Sequence, residues 1–289
     1  MQIMEKSFKT LSYIAALFSI AAVFGIILSI FLEGLPLFKV VSIQEFIWGN
    51  AWYPTHGEAP QFGIRNLLIG SVYATLGALV IAVPLGLGSA IFISEIATPR
   101  LREIAKPAVE LLAAIPSVVY GLFGMAILAP FIRELFDLST GLNLLSTSII
   151  LGLMVVPIIA SMSEDALSTV PKHMREASLA LGATQWETIT GVVLPAARSG
   201  IVGSVLQGFG RAIGETMVVL MVAGGSAQIP GSIFESLRPL TSTIAAEMGE
   251  TVMGDLHYRS LFAIAIVLFL ITFVTNLVAE LVFLKRRLK

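Results

Sequence analysis

The sequence predicts an all-α integral membrane protein with six transmembrane helices. Of its 289 residues, 56% are hydrophobic and 13% charged, whereas soluble domains are about a quarter charged. Mean hydropathy is +0.90. Several apolar runs are continuous and exceed the ~18 residues that mark a membrane-crossing helix. A segment in lipid must satisfy its backbone internally, which leaves helices or a closed barrel, and continuous rather than alternating apolarity selects helices. A net charge of −1 offers no basic footprint for nucleic acid. Without cysteine the chain supplies no disulfide, zinc–thiolate site or iron–sulfur ligation.

The elements follow in order, as one domain over residues 1–289. Lys6 and Lys9 precede an apolar run over about 11–32. That run is too long for a signal-peptide core and has no small-residue cleavage site, so it reads as an uncleaved first span. Residues 33–65 form a loop with Trp48, Trp52, Tyr53, Pro54, Gly57 and Pro60; its aromatics are expected to anchor a short segment at the membrane interface. The second span covers about 66–93, and Pro84-Leu85-Gly86 is expected to kink it. Thr98-Pro99 reads as an N-cap with proline at the first helical position, opening a short polar helix with Arg100, Arg102, Glu103 and Lys106.

The third span covers about 107–132. Pro116, Gly121 and Gly124 predict either a broken helix beside protein or a water-filled cavity or close packing through small residues. The fourth span covers about 144–162, with Pro157 inside, and Glu164 and Asp165 read as boundary residues just beyond it. A polar loop at 171–197, a fifth span at about 199–223, a loop at 224–259 and a sixth span at about 260–284 complete the chain. An even number of spans puts both termini on one side. Of the 18 Lys and Arg residues, twelve fall on that side, the basic tail Lys285-Arg286-Arg287-Leu288-Lys289 included; five fall on the other, and Arg211 lies within a span. This bias places both termini and the 171–197 loop in the cytoplasm.

Within the loop, Pro171 suits a helix start. Met174, Ala177, Ser178 and Leu181 follow at i, i+3, i+4 and i+7 as one small or apolar face. Gly182 can adopt the left-handed conformation that ends a helix. Thr184 with Glu187 is a capping box that opens a second helix, striped by Trp186, Ile189 and Val193 and ended by Pro195. Such a helix–turn–helix either packs on its own membrane domain or fits a groove on a cytoplasmic partner, and helix geometry alone leaves both open.

The residues carry a resemblance. Glu176-Ala177-Ser178, then Gly182, then Val192-Val193-Leu194-Pro195 resembles the docking loop of ATP-binding-cassette importer permeases. Their pattern is Glu-Ala-Ala, three residues, Gly, nine residues, Ile, any residue, Leu-Pro. Every spacing matches, and Ser178 and Val192 are conservative departures. Residues 115–124, 210–225, 240–250 and 257–263 are further similar to the PstC permease family of phosphate importers, over about Gly63 to Leu284. The sister PstA family shares the docking motif and an Arg-x-x-x-Glu pair but typically lacks the run seen at Met217–Val222.

The resemblance implies an importer permease fold in a prokaryotic inner membrane. It implies a non-catalytic subunit whose Glu176, Ala177, Ser178, Gly182, Leu194 and Pro195 dock a PstB-like ATPase, present in two copies. It further implies a path shared with a PstA-like permease and phosphate delivered by a PstS-like extracytoplasmic binding protein. Lipid surrounds the chain; ATP and Mg belong to the ATPase, and this chain carries no cofactor. In keeping with that, the sequence has no G-x-x-x-x-G-K-[ST] phosphate loop.

Arg211 and Glu215 stand out in the fifth span. Arg211 is about twelve residues into it, and Glu215 lies one turn on, on the same face. A charge at that depth costs ~2.5–3.5 kcal/mol on insertion scales, which predicts a buried, protein-lined or wet position. The two form either a structural ion pair or a gated anion site, in which the guanidinium binds oxyanions bidentately and the carboxylate holds it while the path is empty. Gly203, Gly208, Gly210 and Gly214 permit close approach of another span, from this chain or a second subunit.

Glu247, Glu250, Asp255 and His257 match no standard metal-ligand spacing, and read as a solvated loop or a contact for the binding protein. His56 and His173 read as surface residues. Rival functions are a permease for sulfate or molybdate, an intramembrane enzyme using Glu215 as base, and a passive anion channel. The enzyme lacks a second catalytic group, and the channel leaves the docking loop unexplained.

Overall fold

The computed structural model describes residues 2–55 and 59–284. His56, Gly57 and the basic tail at 285–289 lie outside the described residues. Among the described residues, six helices or helical runs are long and apolar enough to cross a membrane. Helix α1 (Gln2–Gly34) leads through a 3-10 turn to α2 (Ile43–Trp48) and a two-stranded antiparallel hairpin of β1 (Trp52–Tyr53) and β2 (Gln61–Phe62). Helix α3 (Arg65–Ile91) ends in a π turn at Phe92–Ile96, followed by α4 (Pro99–Ala113). Next come α5 (Ser117–Phe123), α6 (Ala129–Leu135) and α7 (Leu144–Ser168). The polar 171–197 loop holds α8 (Lys172–Ala180) and α9 (Gln185–Thr188), and a π turn at Ile189–Val193 leads into α10 (Leu194–Ile213). Helices α11 (Met217–Val222), α12 (Leu240–Glu247) and α13 (Leu256–Leu284) complete the chain.

Helix α7 is the axis of the bundle. Ala74, Ala78 and Ala82 recur every fourth residue along α3 and meet Ile150, Leu151, Met154, Val155 and Ile159 of α7. Lipid is as apolar as leucine, so spans associate through close packing rather than hydrophobic exclusion, and small residues set the contact distance. A Cβ on Gly77 would lie 2.1 Å from the Ser148 Oγ, and one on Gly86 2.9 Å from Ile159. Gly208 brings α10 equally close to α7, 3.0 Å from Val155 and Ile159. A buried bond of 2.7 Å between the Ser163 and Ser204 hydroxyls also joins these two helices.

One end of the bundle is capped by a second apolar cluster, including Leu37, Phe46, Trp52, Phe62, Ile64, Leu240 and Leu261. Trp52 is therefore core rather than an interfacial anchor, whereas Trp48 and Tyr53 are exposed. Helix α1 lies along α13, with Phe31 edge-on to Phe269, and its apolar length is otherwise uncovered.

Several span boundaries differ from the sequence expectation. Helix α3 continues through Pro84 without a break in its helical assignment. The third span begins at Ser117, ten residues later than expected. Pro116 caps α5, and residues 107–113 belong instead to amphipathic α4. Pro195 does not end a helix: it sits in the first turn of α10, where the preceding π turn has already interrupted the ladder, so its missing N–H costs little. The fifth span thus runs from Gln185 to Ile213. The chain breaks at Gly214–Thr216, and α11 continues the expected span as a separate short helix. The 224–259 loop is not featureless, since α12 folds back within it and buries Leu240 and Thr243.

Candidate functional site

The break after α10 is built around Glu215. Its Oε2 accepts from the Arg211 Nη1. Its Oε1 accepts from the backbone N–H groups of Met217 at 3.1 Å and Val218 at 3.4 Å, at the start of α11. Its backbone carbonyl accepts from the Thr241 hydroxyl of α12 at 2.6 Å. One buried carboxylate thus fixes a guanidinium and satisfies the free donors of a half-helix.

The expectation that both charges are buried holds for Glu215 alone. The Glu215 side chain is 2% exposed and the Arg211 side chain 42%. Arg211 stands on the last turn of α10, with its Nη2 3.7 Å from the Met154 sulfur of α7, and the rest of its side chain is part exposed. A guanidinium with that exposure keeps donors beyond the one given to Glu215, and such donors can take an oxyanion. Helix α5 supports the half-helix α11 from the other side. A Cβ on Gly121 would lie 2.7 Å from the Met221 sulfur, and one on Gly124 2.8 Å from both Ile150 and Val222. Close packing and a broken third helix therefore occur together. A Cβ on Gly210 would touch the last span, 3.7 Å from the Asn276 Oδ1 of α13, whereas one on Gly214 would meet only the Gly210 carbonyl of its own helix.

At the loop, Gly182 has φ +88° and ends α8, and the Thr184–Glu187 capping box is complete. Ser178, which stands where the importer motif has alanine, bonds the Thr188 hydroxyl at 2.9 Å and ties α8 to α9. Ile189 and Val193 are buried, whereas Trp186 points outward at 62% exposure. Leu181 is 90% exposed, and Met174 and Leu179 flank it. Glu176, Ala177 and Pro195 are exposed too, and Leu194 packs into a small cluster with Val170, Val193 and Ala197. The apolar side of α8 is therefore not folded back on its own membrane domain.

Ion pairs that the sequence did not reveal hold this end together. Arg175 grips Glu95, Nε to Oε2 at 3.0 Å and Nη2 to Oε1 at 2.7 Å, and also donates to the carbonyls of Leu167 and Val170. Glu164 is a buried carboxylate rather than a boundary residue, taking Arg102 at 2.5 Å and Lys106 at 2.6 Å. Lys106 also reaches Asp165 at 2.7 Å; its bonds to Asp165 and Glu164 raise its pKa above the ordinary lysine value. These partners lie 58 to 80 residues apart in sequence, beyond any local pattern.

At the opposite end, Glu247 is also a hub. It accepts from the Trp52 indole at 3.0 Å and the Arg238 Nη1 at 2.8 Å, and lies 2.8 Å from the His257 Nε2. Glu247, Glu250 and His257 share an open cleft of about 570 Å³. Asp255 instead bonds the Leu256 N–H at the start of α13. Among the described residues, no three His, Asp or Glu side chains are placed to hold a metal. His173 is exposed on α8.

Six spans, a half-helix break and an outward-facing helical loop define the membrane subunit of an ATP-binding-cassette importer. The chain belongs to the family of binding-protein-dependent transport system inner membrane components, which matches residues 82–288. It is 40% identical to YqgH, a Bacillus subtilis ABC transporter permease protein, over 89% of this chain and 84% of that one. It is 36% identical to the phosphate transport system permease protein PstC of Mesorhizobium japonicum, over 92% of this chain and 86% of that one. A solved bacterial alginate ABC transporter, in complex with a periplasmic protein bound to alginate pentasaccharide, shares the fold. Its TM-score is 0.58 at 16% identity, covering 94% of this chain and 95% of that one. The chain is thus a multi-pass inner-membrane permease component and not the catalytic subunit. ATP is bound and hydrolysed by a separate subunit, and the permease itself carries no cofactor.

Proposed function

We propose that this chain is the PstC-type permease of an ATP-driven importer of inorganic phosphate. The observation that carries this reading is the Arg211–Glu215 pair, a half-exposed guanidinium held by a buried carboxylate at a helix break. Such a guanidinium can take two phosphate oxygens at once and return to Glu215 when they leave. Similarity to PstC proteins along most of the chain supports phosphate over other oxyanions.

In this reading both termini and the 171–197 loop face the cytoplasm. Two PstB-like ATPase copies drive the transporter, one engaging Glu176, Ala177, Ser178, Gly182, Leu194 and Pro195 of this chain. The exposed Leu181 and Trp186 supply the apolar contact. A PstA-like subunit covers the open Arg211 face and completes the path. A PstS-like binding protein delivers phosphate at the hairpin end. ATP-driven closure moves the loops, and the spans rock between inward- and outward-open states.

The test is uptake of labelled phosphate into vesicles holding the assembled subunits and internal ATP, with sulfate and molybdate as competitors. ATP-dependent uptake that neither competitor reduces is expected. Transport of another oxyanion would keep the permease and overturn phosphate, and uptake without ATP by an intact complex would overturn the importer reading.

A further inference from the structure

Beside the apolar cluster of Ala90, Leu167, Val170 and Val193, an ionic knot fastens the docking loop to the bundle. Arg175 lies in the first turn of its outer helix α8, one residue before the motif glutamate. Its guanidinium spans two spans at once. It grips both oxygens of Glu95 in the π turn that ends α3, and it bonds the Leu167 and Val170 carbonyls at the end of α7. From the second loop helix, the Gln185 amide donates to the Glu95 backbone carbonyl at 2.9 Å. Glu95 is 8% exposed and Arg175 21%, so this is a part-buried, bidentate pair rather than a loose surface contact. The remaining face of the loop, with Leu181 and Trp186, makes no such fastening.

Both anchor points belong to one rigid unit. Helices α3 and α7 share the tightest seam of the bundle, where Gly77 and Gly86 leave no room for a Cβ. The π turn at Phe92–Ile96 widens the last turn of α3 and carries Glu95 in it; π bulges of this kind recur at functional positions. The Glu164 cluster with Arg102 and Lys106 pins α4 to the same end of α7.

We infer that the Arg175–Glu95 pair is the strut that carries displacement of the docking loop into the α3–α7 unit. Arg175 and Glu95 are positioning residues and touch neither substrate nor nucleotide. Without the strut the loop still docks its ATPase, but its movement is absorbed locally instead of shifting the second and fourth spans. The inference rests on the docking role of the loop, and its signature is uncoupling rather than loss of assembly.

The experiment uses the whole transporter in vesicles and reads three quantities: ATPase co-purification, ATP hydrolysis, and phosphate moved per ATP hydrolysed. Glu95→Gln keeps the size of the side chain and removes its charge. It is expected to retain co-purification and hydrolysis and to lower phosphate moved per ATP about tenfold, mid-range for a residue that carries coupling. Unchanged stoichiometry would overturn the inference. Loss of co-purification would also overturn it, since the pair would then act in docking. A second variant guards against misfolding. The chain has no cysteine, so Glu95→Cys with Arg175→Cys can be joined by a short reducible bis-thiosulfonate linker. Coupling restored by the linker and lost again on reduction is expected; a stoichiometry that ignores the linker would refute the strut. If the unaltered chain fails to retain its ATPase at all, the docking reading falls, and the inference with it.

Discussion

Glu215→Gln separates the two tasks of the buried carboxylate. The amide oxygen can still accept from Met217 N and Val218 N and cap α11, but the charge that holds Arg211 is gone. A hydrogen bond to a charged group contributes about 1.5–3 kcal/mol and a neutral one about 0.5–1.5 kcal/mol. Arg211 is 42% exposed, so screening puts the loss in the lower part of that difference, about 1 kcal/mol. Freed by that amount, Arg211 holds phosphate about fivefold more tightly. Retention of labelled phosphate on the purified transporter should therefore rise about fivefold, while turnover with saturating binding protein falls. Glu215→Ala is the contrasting control. It also leaves the two backbone donors unsatisfied, at a further cost of about 1 kcal/mol, and should lower the melting temperature where the glutamine variant does not. Unchanged retention together with normal turnover in Glu215→Gln would falsify the gating argument and leave Glu215 a purely structural cap.

Three further outcomes are expected. Arg211→Ala should abolish phosphate uptake while the subunits still co-purify, because the Glu215 carboxylate, though it loses its counter-ion, keeps its bonds to the Met217 and Val218 N–H groups; normal uptake would remove Arg211 from the path. Gly182→Trp should prevent co-purification of the ATPase, since no atom lies within 4 Å of that Cβ position and the bulk projects outward; Gly182→Ala carries the same strain at φ +88°, ~1–3 kcal/mol, and should retain docking. Gly77→Ala should destabilise the α3–α7 seam by about 1–3 kcal/mol, because its Cβ meets Ser148 Oγ at 2.1 Å and Ser148 Cβ at 2.9 Å. Ser148→Gly in the same chain should restore the melting temperature, and failure to do so would locate the strain elsewhere.

What could be read directly were features that depend on neighbours in sequence. Six apolar runs, the Gly182 turn and the Thr184–Glu187 box rest on composition or on backbone preferences within four residues, and all of them appear in the structure. The pairing of Arg211 with Glu215 was legible for the same reason, since four residues is one helical turn. The ends of spans were not. Pro116 and Pro195 look alike in sequence, yet one caps a new helix and the other lies inside a continuing one, because a π turn upstream of Pro195 removes the clash that proline otherwise causes.

The sequence by itself therefore determined a six-span membrane chain with a helix–turn–helix loop and an intramembrane charge pair. Tertiary structure decided which charges are enclosed. Glu164 and Glu95 take partners from other helices, and Glu247 takes Trp52 of β1 and His257 of α13; only folding brings those partners within reach. Arg211 stays part exposed even where it touches Met154 of α7. The physical reason is one of range. Apolarity and capping act over a few residues, whereas the burial of a charge depends on which distant helix the close-packed seams of α3 and α7 bring alongside it.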